Sequence, residues 1–436
     1  MKRLVCMIFA AVLLLTSLAA CGAKPDEQGT ATSQQSAAGS TGEPVKLTFW
    51  KGGSDPAVRD YFLSAIERYS KSNANVTIEY TDYPLGSEWD TKLNTAFASG
   101  VTPDIIGFNI GSLASRATAG QYAELDGYLN GWDGKSDISE ELWERVRYDG
   151  KIYSIPYSVG ATMLAYRKDY FKEAGLDPEK PPETWEQLAE YAKKLTKYDG
   201  NMVSRAGLVI PIDNYDVIGG FLKQNDARIV AEDGKSPAFN NPEFIETVQY
   251  MTSLFKDQKV TFEVTKDKER EQPSITTGRA AMQYIYQPLL ATYLKENPEN
   301  VDNIGFAYPV KKQKGIWGGA DMLMISNESK LKDEAWKFIE FTMTTEEMKS
   351  KYEIANITVL RNSMKDYFIE KSPTLNTAIW EAVTAGADAP KVTWAGLYMN
   401  TVLPKIQQEA FYNKKTPEQT VQDNYDWLVK EIQNMK

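Results

Sequence analysis

The chain moves between two hydrophobic periods. Val45, Leu47 and Phe49 alternate with polar residues ahead of Trp50, which predicts a half-buried strand. Gly52-Gly53-Ser54 reads as a turn, and Asp55-Pro56 as an N-cap with proline at the first helical position. Val58, Phe62, Ile66 and Tyr69 then recur at helical spacing and predict one buried face. A second strand is expected over 76–80, a helix near 92–98 and a short buried strand over 104–108. This order of strand, helix, strand, helix, strand predicts a mostly parallel sheet flanked by helices.

The same devices recur downstream. Thr184-Trp185-Glu186-Gln187 is a capping box ahead of Leu188, Ala192 and Leu195. Asn241-Pro242 precedes Phe244, Val248, Met251 and Phe255, and Thr416-Pro417-Glu418-Gln419 precedes Val421, Tyr425, Leu428 and Ile432. These stripes read as core faces, and the chain shows no internal repeat or heptad run.

The first 44 residues follow neither period. Lys2 and Arg3 precede an apolar stretch over 4–15 and then small residues, the layout of a secretory signal, too short to remain as a bilayer span. Leu18-Ala19-Ala20-Cys21-Gly22 resembles the bacterial lipobox, in which cleavage precedes a cysteine that carries diacylglycerol. Residues 1–20 are therefore expected to be a signal peptide, with Cys21 lipidated. The other cysteine, Cys6, falls inside the signal, so a processed chain would hold no disulfide. From Gly22 to Pro44 there is no aromatic residue and no Leu, Ile, Val or Met, so residues 21–44 are expected to form a flexible tether, with a reach of about 25 Å.

Composition narrows the chemistry. The chain has 436 residues, which predicts two lobes rather than one core. A net charge of −10 with no basic run argues against nucleic-acid binding. The absence of histidine removes Ser-His and Cys-His nucleophile pairs and imidazole zinc sites. Gly134-Lys135-Ser136 and Gly234-Lys235-Ser236 are not phosphate loops, because Leu129 and Ile229 stand where the earlier glycine is required. No EF-hand loop and no Gly-x-Gly-x-x-Gly after a strand is present, and no metal or cofactor is expected. Paired carboxylates of a secreted glycoside hydrolase stay open, since spacing in sequence does not report spacing in space.

An ordered set of segments resembles the maltose-binding type of extracellular solute-binding protein, the receptors of ABC importers. It comprises Gly100-Val101-Thr102-Pro103-Asp104-Ile105-Ile106 with Gly120 and Leu125-Asp126, then Gly150-Lys151-Ile152-Tyr153-Ser154-Ile155-Pro156-Tyr157. Ala165-Tyr166-Arg167-Lys168-Asp169-Tyr170-Phe171 follows, with Ala174-Gly175-Leu176, Pro182 and Thr184-Trp185. Gly278-Arg279-Ala280-Ala281-Met282, Trp317-Gly318-Gly319 and Ala335-Trp336-Lys337-Phe338-Ile339 complete it. Two departures stand out. The usual Tyr-Asn is Tyr166-Arg167, and Ile357-Thr358-Val359-Leu360-Arg361 replaces a proline-bearing stretch near the second crossing.

The resemblance implies an α/β, periplasmic-binding-protein-like fold of two lobes, each a mixed, mostly parallel sheet flanked by helices, with a hinge and an interlobe cleft. Lobe one would take 45–157 and 315–362, lobe two 158–314 and 363–436. It implies capture of a carbohydrate, expected to be an oligosaccharide, and delivery to ABC permease subunits, without catalysis. The protein would be a monomer, lipid-anchored on the outer side of the cell membrane. A surface adhesin or structural lipoprotein is the third alternative.

Candidate ligand residues follow from position. Ligands of open α/β sheets sit at the carboxyl ends of strands, which selects Ser54, Asp55, Phe108 and Asn109. Strand alternation puts Tyr284 and Tyr286 on one face, followed by Gln287. Trp317 and Asp321 bracket Gly318 and Gly319, where a small backbone admits a ligand closely. The resemblance adds Tyr157 and Ser158 at the crossing, Tyr215 in lobe two and Trp394 late in the chain. Each has a structural alternative: a cap for Asp55, hinge packing for Tyr157 and Ser158, an exposed loop for Tyr215, core for Trp394. Asp55, Asn109 and Asp321 are expected to bond hydroxyls, and Tyr215, Tyr286, Trp317 and Trp394 to stack on sugar faces.

Overall fold

The computed structural model describes residues 43–84, 87–387 and 389–434. The leader, Cys21 and all but the last two residues of the tether lie outside them.

The predicted opening is present. β1 (Val45–Gly52) pairs in parallel with β2 (Val76–Tyr83) and with β3 (Ile105–Asn109). Helix Pro56–Ser72 joins the first two, and Asp55 caps it by accepting from Ala57 N and Val58 N. Its buried face is Tyr61, Phe62, Ala65 and Tyr69, rotated from the predicted stripe, with Val58 and Ile66 only half-buried. The rotation arises because the helix packs on a second helix, Thr345–Ala355, as well as on the sheet. Arg68 spans that contact and grips Glu347 with both arms at 2.7 and 2.8 Å.

Beyond a small hairpin, β4 (Arg147–Tyr148) with β5 (Lys151–Ile152), the chain enters β6 (Ile155–Arg167). Later strands are β7 (Lys197–Asp199), β8 (Met202–Val209), β9 (Ala280–Tyr286), β10 (Ile304–Ala307), β11 (Ile316–Ile325) and β12 (Gly386–Ala387). Among the described residues, one mixed sheet runs β2-β1-β3-β11-β6-β9-β8-β7, with β10 added to β6 and β12 to β11.

Two long strands join its halves. β6 pairs with β11 over Ile155–Thr162 and with β9 over Thr162–Tyr166. β11 pairs with β12 at its start, with β6 in the middle and with β3 from Asp321 onward, and its register with β6 shifts between Asp321 and Met322. The sheet thus changes partners around residues 158–162 and 317–321. That exchange gives the α/β fold its two lobes and sets the cleft above the junction.

The capping devices also form. Thr184 accepts from Gln187 N, Asn241 from Phe244 N, and Thr416 with Gln419 makes both bonds of a reciprocal box. In the first box Gln187 accepts from Glu183 N, one residue before the cap.

Candidate functional site: a cleft over the partner exchange

Strand alternation builds the floor. Ser158, Gly160 and Thr162 share one face of β6, and opposite them in register stand Asp321, Gly319 and Trp317 of β11. The paired glycines leave the middle bare. A Cβ on Gly160 would fall 2.4 Å from the Tyr286 ring, so that ring lies directly on the backbone there. A Cβ on Gly319 would meet nothing within 4 Å, so this part of the floor is open.

Walls rise from both sides of the sheet around a cavity of about 340 Å³, a size suited to a small ligand. Gly52 ends β1 and Gly53, Ser54 and Asp55 follow it, while Asn109 ends β3 and Ile110 and Gly111 follow it. Tyr215 and Asp216 come from the start of helix Tyr215–Gln224, Arg270 from the short helix Lys266–Glu271, and Ile357 from the departing segment.

The structure brings together Ser54, Asp55, Asn109, Ser158, Tyr215, Tyr286, Trp317, Gly318, Gly319 and Asp321. It does not bring Phe108, Tyr157, Tyr284, Gln287 or Trp394 to this wall. Phe108 covers Gly52 from behind and packs against Trp89 at 5.1 Å. Tyr157 is core, edge-on to Phe62 at 5.3 Å. Tyr284 shares its face of β9 with Tyr286 but lies farther from the junction, pairing across from Leu164 and packing on Phe221 at 5.1 Å. Gln287 turns inward toward the Thr358 hydroxyl, and the Trp394 indole donates to Lys235 O at 2.6 Å from a fully buried position. Cys21 lies outside the described residues.

The rings are seated rather than free. Trp317 is 8% exposed. Its ring rests on Gly219, where a Cβ would fall 2.1 Å away, and meets the edge of Tyr215 at 6.3 Å. Tyr215 is held on its other side by Lys266 Nζ, 3.6 Å from the ring centroid. Asn109 accepts from Gly111 N at 3.0 Å, and its Nδ2 has no partner among the described residues.

Charges also converge. Lys51 is buried and donates to Gly52 O at 3.2 Å and Gly53 O at 2.9 Å. Burial pushes its pKa down, against the pull of Asp321 and Asp55. Burial pushes the Asp321 carboxyl up, and Lys51 and Arg270 oppose the rise. Asp216 faces Lys266 at 3.6 Å. Lys51, Asp216 and Arg270 are the charged groups that sequence reasoning missed. No group of three or more metal-ligating side chains occurs among the described residues, and no described helix is long and apolar enough to cross a membrane.

Comparison with known proteins agrees with this fold. The family model of bacterial extracellular solute-binding proteins matches residues 55–349. The maltotriose-binding protein of Pyrococcus abyssi is 22% identical over 393 residues, covering 84% of this chain and 82% of that protein. The sn-glycerol-3-phosphate-binding periplasmic protein UgpB of Escherichia coli is 26% identical over 299 residues, 62% of this chain and 65% of that protein. Among solved structures, an ABC transporter solute-binding protein of Thermotoga lettingae, bound with α-D-tagatose, superposes with a TM-score of 0.75. Its identity is 22%, over 88% of this chain and 99% of that one.

Proposed function

Because the chain belongs to the bacterial extracellular solute-binding proteins, we propose that it captures a carbohydrate in the cleft and delivers it unaltered to an ABC permease. The observation that carries this is the cleft itself. Seated rings, a bare glycine floor and polar side chains from both walls converge on one space of about 340 Å³. Sugars present C–H faces edged by hydroxyls, which suits aromatic surfaces flanked by hydrogen-bonding groups. Tyr215, Tyr286 and Trp317 would supply the faces. Asn109 Nδ2, Asp55 and Asp321 would bond hydroxyls, with Ser54, Ser158, Gly318 and Gly319 completing the contact.

The proposed lobes are 45–157 with 315–362 and 158–314 with 363–436, and the partner exchange of β6 and β11 supports a hinge there. A ligand touched by both lobes favours the closed form by the contacts available only in it. The permease would read that form. We further propose a monomeric lipoprotein, cut before Cys21 and held to the outer side of the cell membrane by that residue, as the lipobox-like segment supports. Fatty-acid labelling that is lost in Cys21→Ser tests the anchor.

Isothermal titration against a panel of mono- and oligosaccharides tests the main reading. Saturable binding is expected, with the sugar recovered intact and affinity lowered at least tenfold in Trp317→Ala. Cleavage of the sugar would instead support the hydrolase, and no binding would contradict capture.

A further inference from the structure

Arg270 has no hydrogen-bond or ion-pair partner among the described residues, although it lines the cleft. The other cations at this wall are committed. Lys51 donates to two carbonyls and faces Asp321, while Lys266 lies against Asp216 and the face of Tyr215. Arg270 lines the same cavity as Tyr215, Tyr286 and Asp321.

Its position is fixed by a buried neighbour. Glu269 accepts from Ser274 N at 2.8 Å, Ser274 Oγ at 2.6 Å and Gln283 Nε2 at 2.5 Å, tying the short helix to β9. Lys266 N donates to Asp213 at 2.6 Å and ties its other end. A charged helix that would otherwise be a solvated surface is thereby held so that Arg270 reaches the cleft.

Hydrogen-bond accounting singles out this residue. Asp216 pairs with Lys266, Asp321 feels both Lys51 and Arg270 without a direct ion pair to either, and one oxygen of Asp55 is occupied by its helix cap, so no described carboxylate of this wall hydrogen-bonds the Arg270 guanidinium. Closing over an uncharged guest would remove water from the guanidinium and leave its N–H groups without a hydrogen-bonding partner, a costly arrangement. An oxyanion would answer it, because the planar fork of arginine matches carboxylate and phosphate oxygens. Resting on the solute-binding reading above, we propose that the ligand is an acidic carbohydrate, carrying a carboxylate or phosphate, and that Arg270 holds the anionic group.

Calorimetric titration of the full chain with matched pairs tests this: trigalacturonate against its methyl ester, glucose 6-phosphate against glucose, and glycerol 3-phosphate against glycerol. The acidic member of at least one pair should bind tenfold or more tightly than its neutral counterpart, and the pair concerned tells carboxylate from phosphate. Arg270→Gln should erase that preference and Arg270→Lys should keep part of it. Lys268→Gln, an exposed change on the same helix, should leave it intact. Neutral members that bind as well as acidic ones overturn the proposal, as does a preference that survives Arg270→Gln. An equal loss for both members of a pair overturns it as well, and assigns Arg270 to closure. Binding of neutral sugars alone leaves the capture reading standing, whereas a panel in which nothing binds counts against both.

Discussion

Asp55 uses one carboxylate in two ways. Its Oδ1 accepts from Ala57 N at 2.9 Å and Val58 N at 3.1 Å to cap a helix, while the group lines the cleft. The two roles separate by substitution. Asp55→Ala should cost about 1 kcal/mol of stability through loss of the cap, whereas Asp55→Asn keeps a capping oxygen and should unfold like the parent. Both should weaken ligand binding if the carboxylate bonds the guest. Urea denaturation and calorimetry on the pair check this, and equal affinity in the parent and Asp55→Asn would leave the residue as a cap alone. Asp55 and Asn109 were legible in the sequence because each stands at the carboxyl end of a recognisable strand. Lys51 carried a signal too, since it continues the inward parity of Leu47 and Phe49, yet a lysine at such a position reads as the end of the strand. Arg270 carried none. What turns it into the cleft is the burial of Glu269 against Ser274 and Gln283, a tertiary event with no local pattern.

Between elements, helix Thr345–Ala355 holds the most perturbed lysine of the described chain against the strand that crosses to the second lobe. Lys351 is buried and points at Tyr157 O from 3.5 Å, beside Met343 Sδ and near the Tyr61 ring. Burial lowers its pKa to about 7, with Arg361 adding to the fall and Glu347 opposing it. A base whose folded pKa is depressed favours the folded state above its unfolded value near 10.5 and loses that contribution as pH falls toward 7. Stability should therefore rise with pH between about 7 and 10.5 by more in the parent than in Lys351→Met. Denaturant unfolding at pH 7 and pH 9 measures the difference, and parallel behaviour of the two proteins would contradict it. Elements defined by caps and alternation were readable in advance, as Thr184, Asn241 and Thr416 illustrate. The face of helix Pro56–Ser72 was not, because its second packing partner lies nearly three hundred residues away. For the same reason Tyr284 and Tyr286, equivalent by alternation, part company: one lies under helix Tyr215–Gln224 and the other over Gly160.

For the whole molecule, the binding space exists because β6 and β11 each belong to both halves of the sheet. The strand–helix order could announce the α/β class, and the ordered family segments the two lobes. Neither could say which aromatic residues reach the junction, since Tyr157 and Trp394 become core through partners distant in sequence, Phe62 for one and Lys235 O for the other. The account stands on a guest gripped from both walls at once. Hydrogen exchange read by mass spectrometry, with and without a saturating carbohydrate found by titration, addresses that claim most directly. Slowed exchange is predicted together in 52–55 and 109–111 on one wall and in 215–219 on the other, with the floor at 317–320 also protected. Protection confined to a single wall, or appearing only away from these segments, would contradict it.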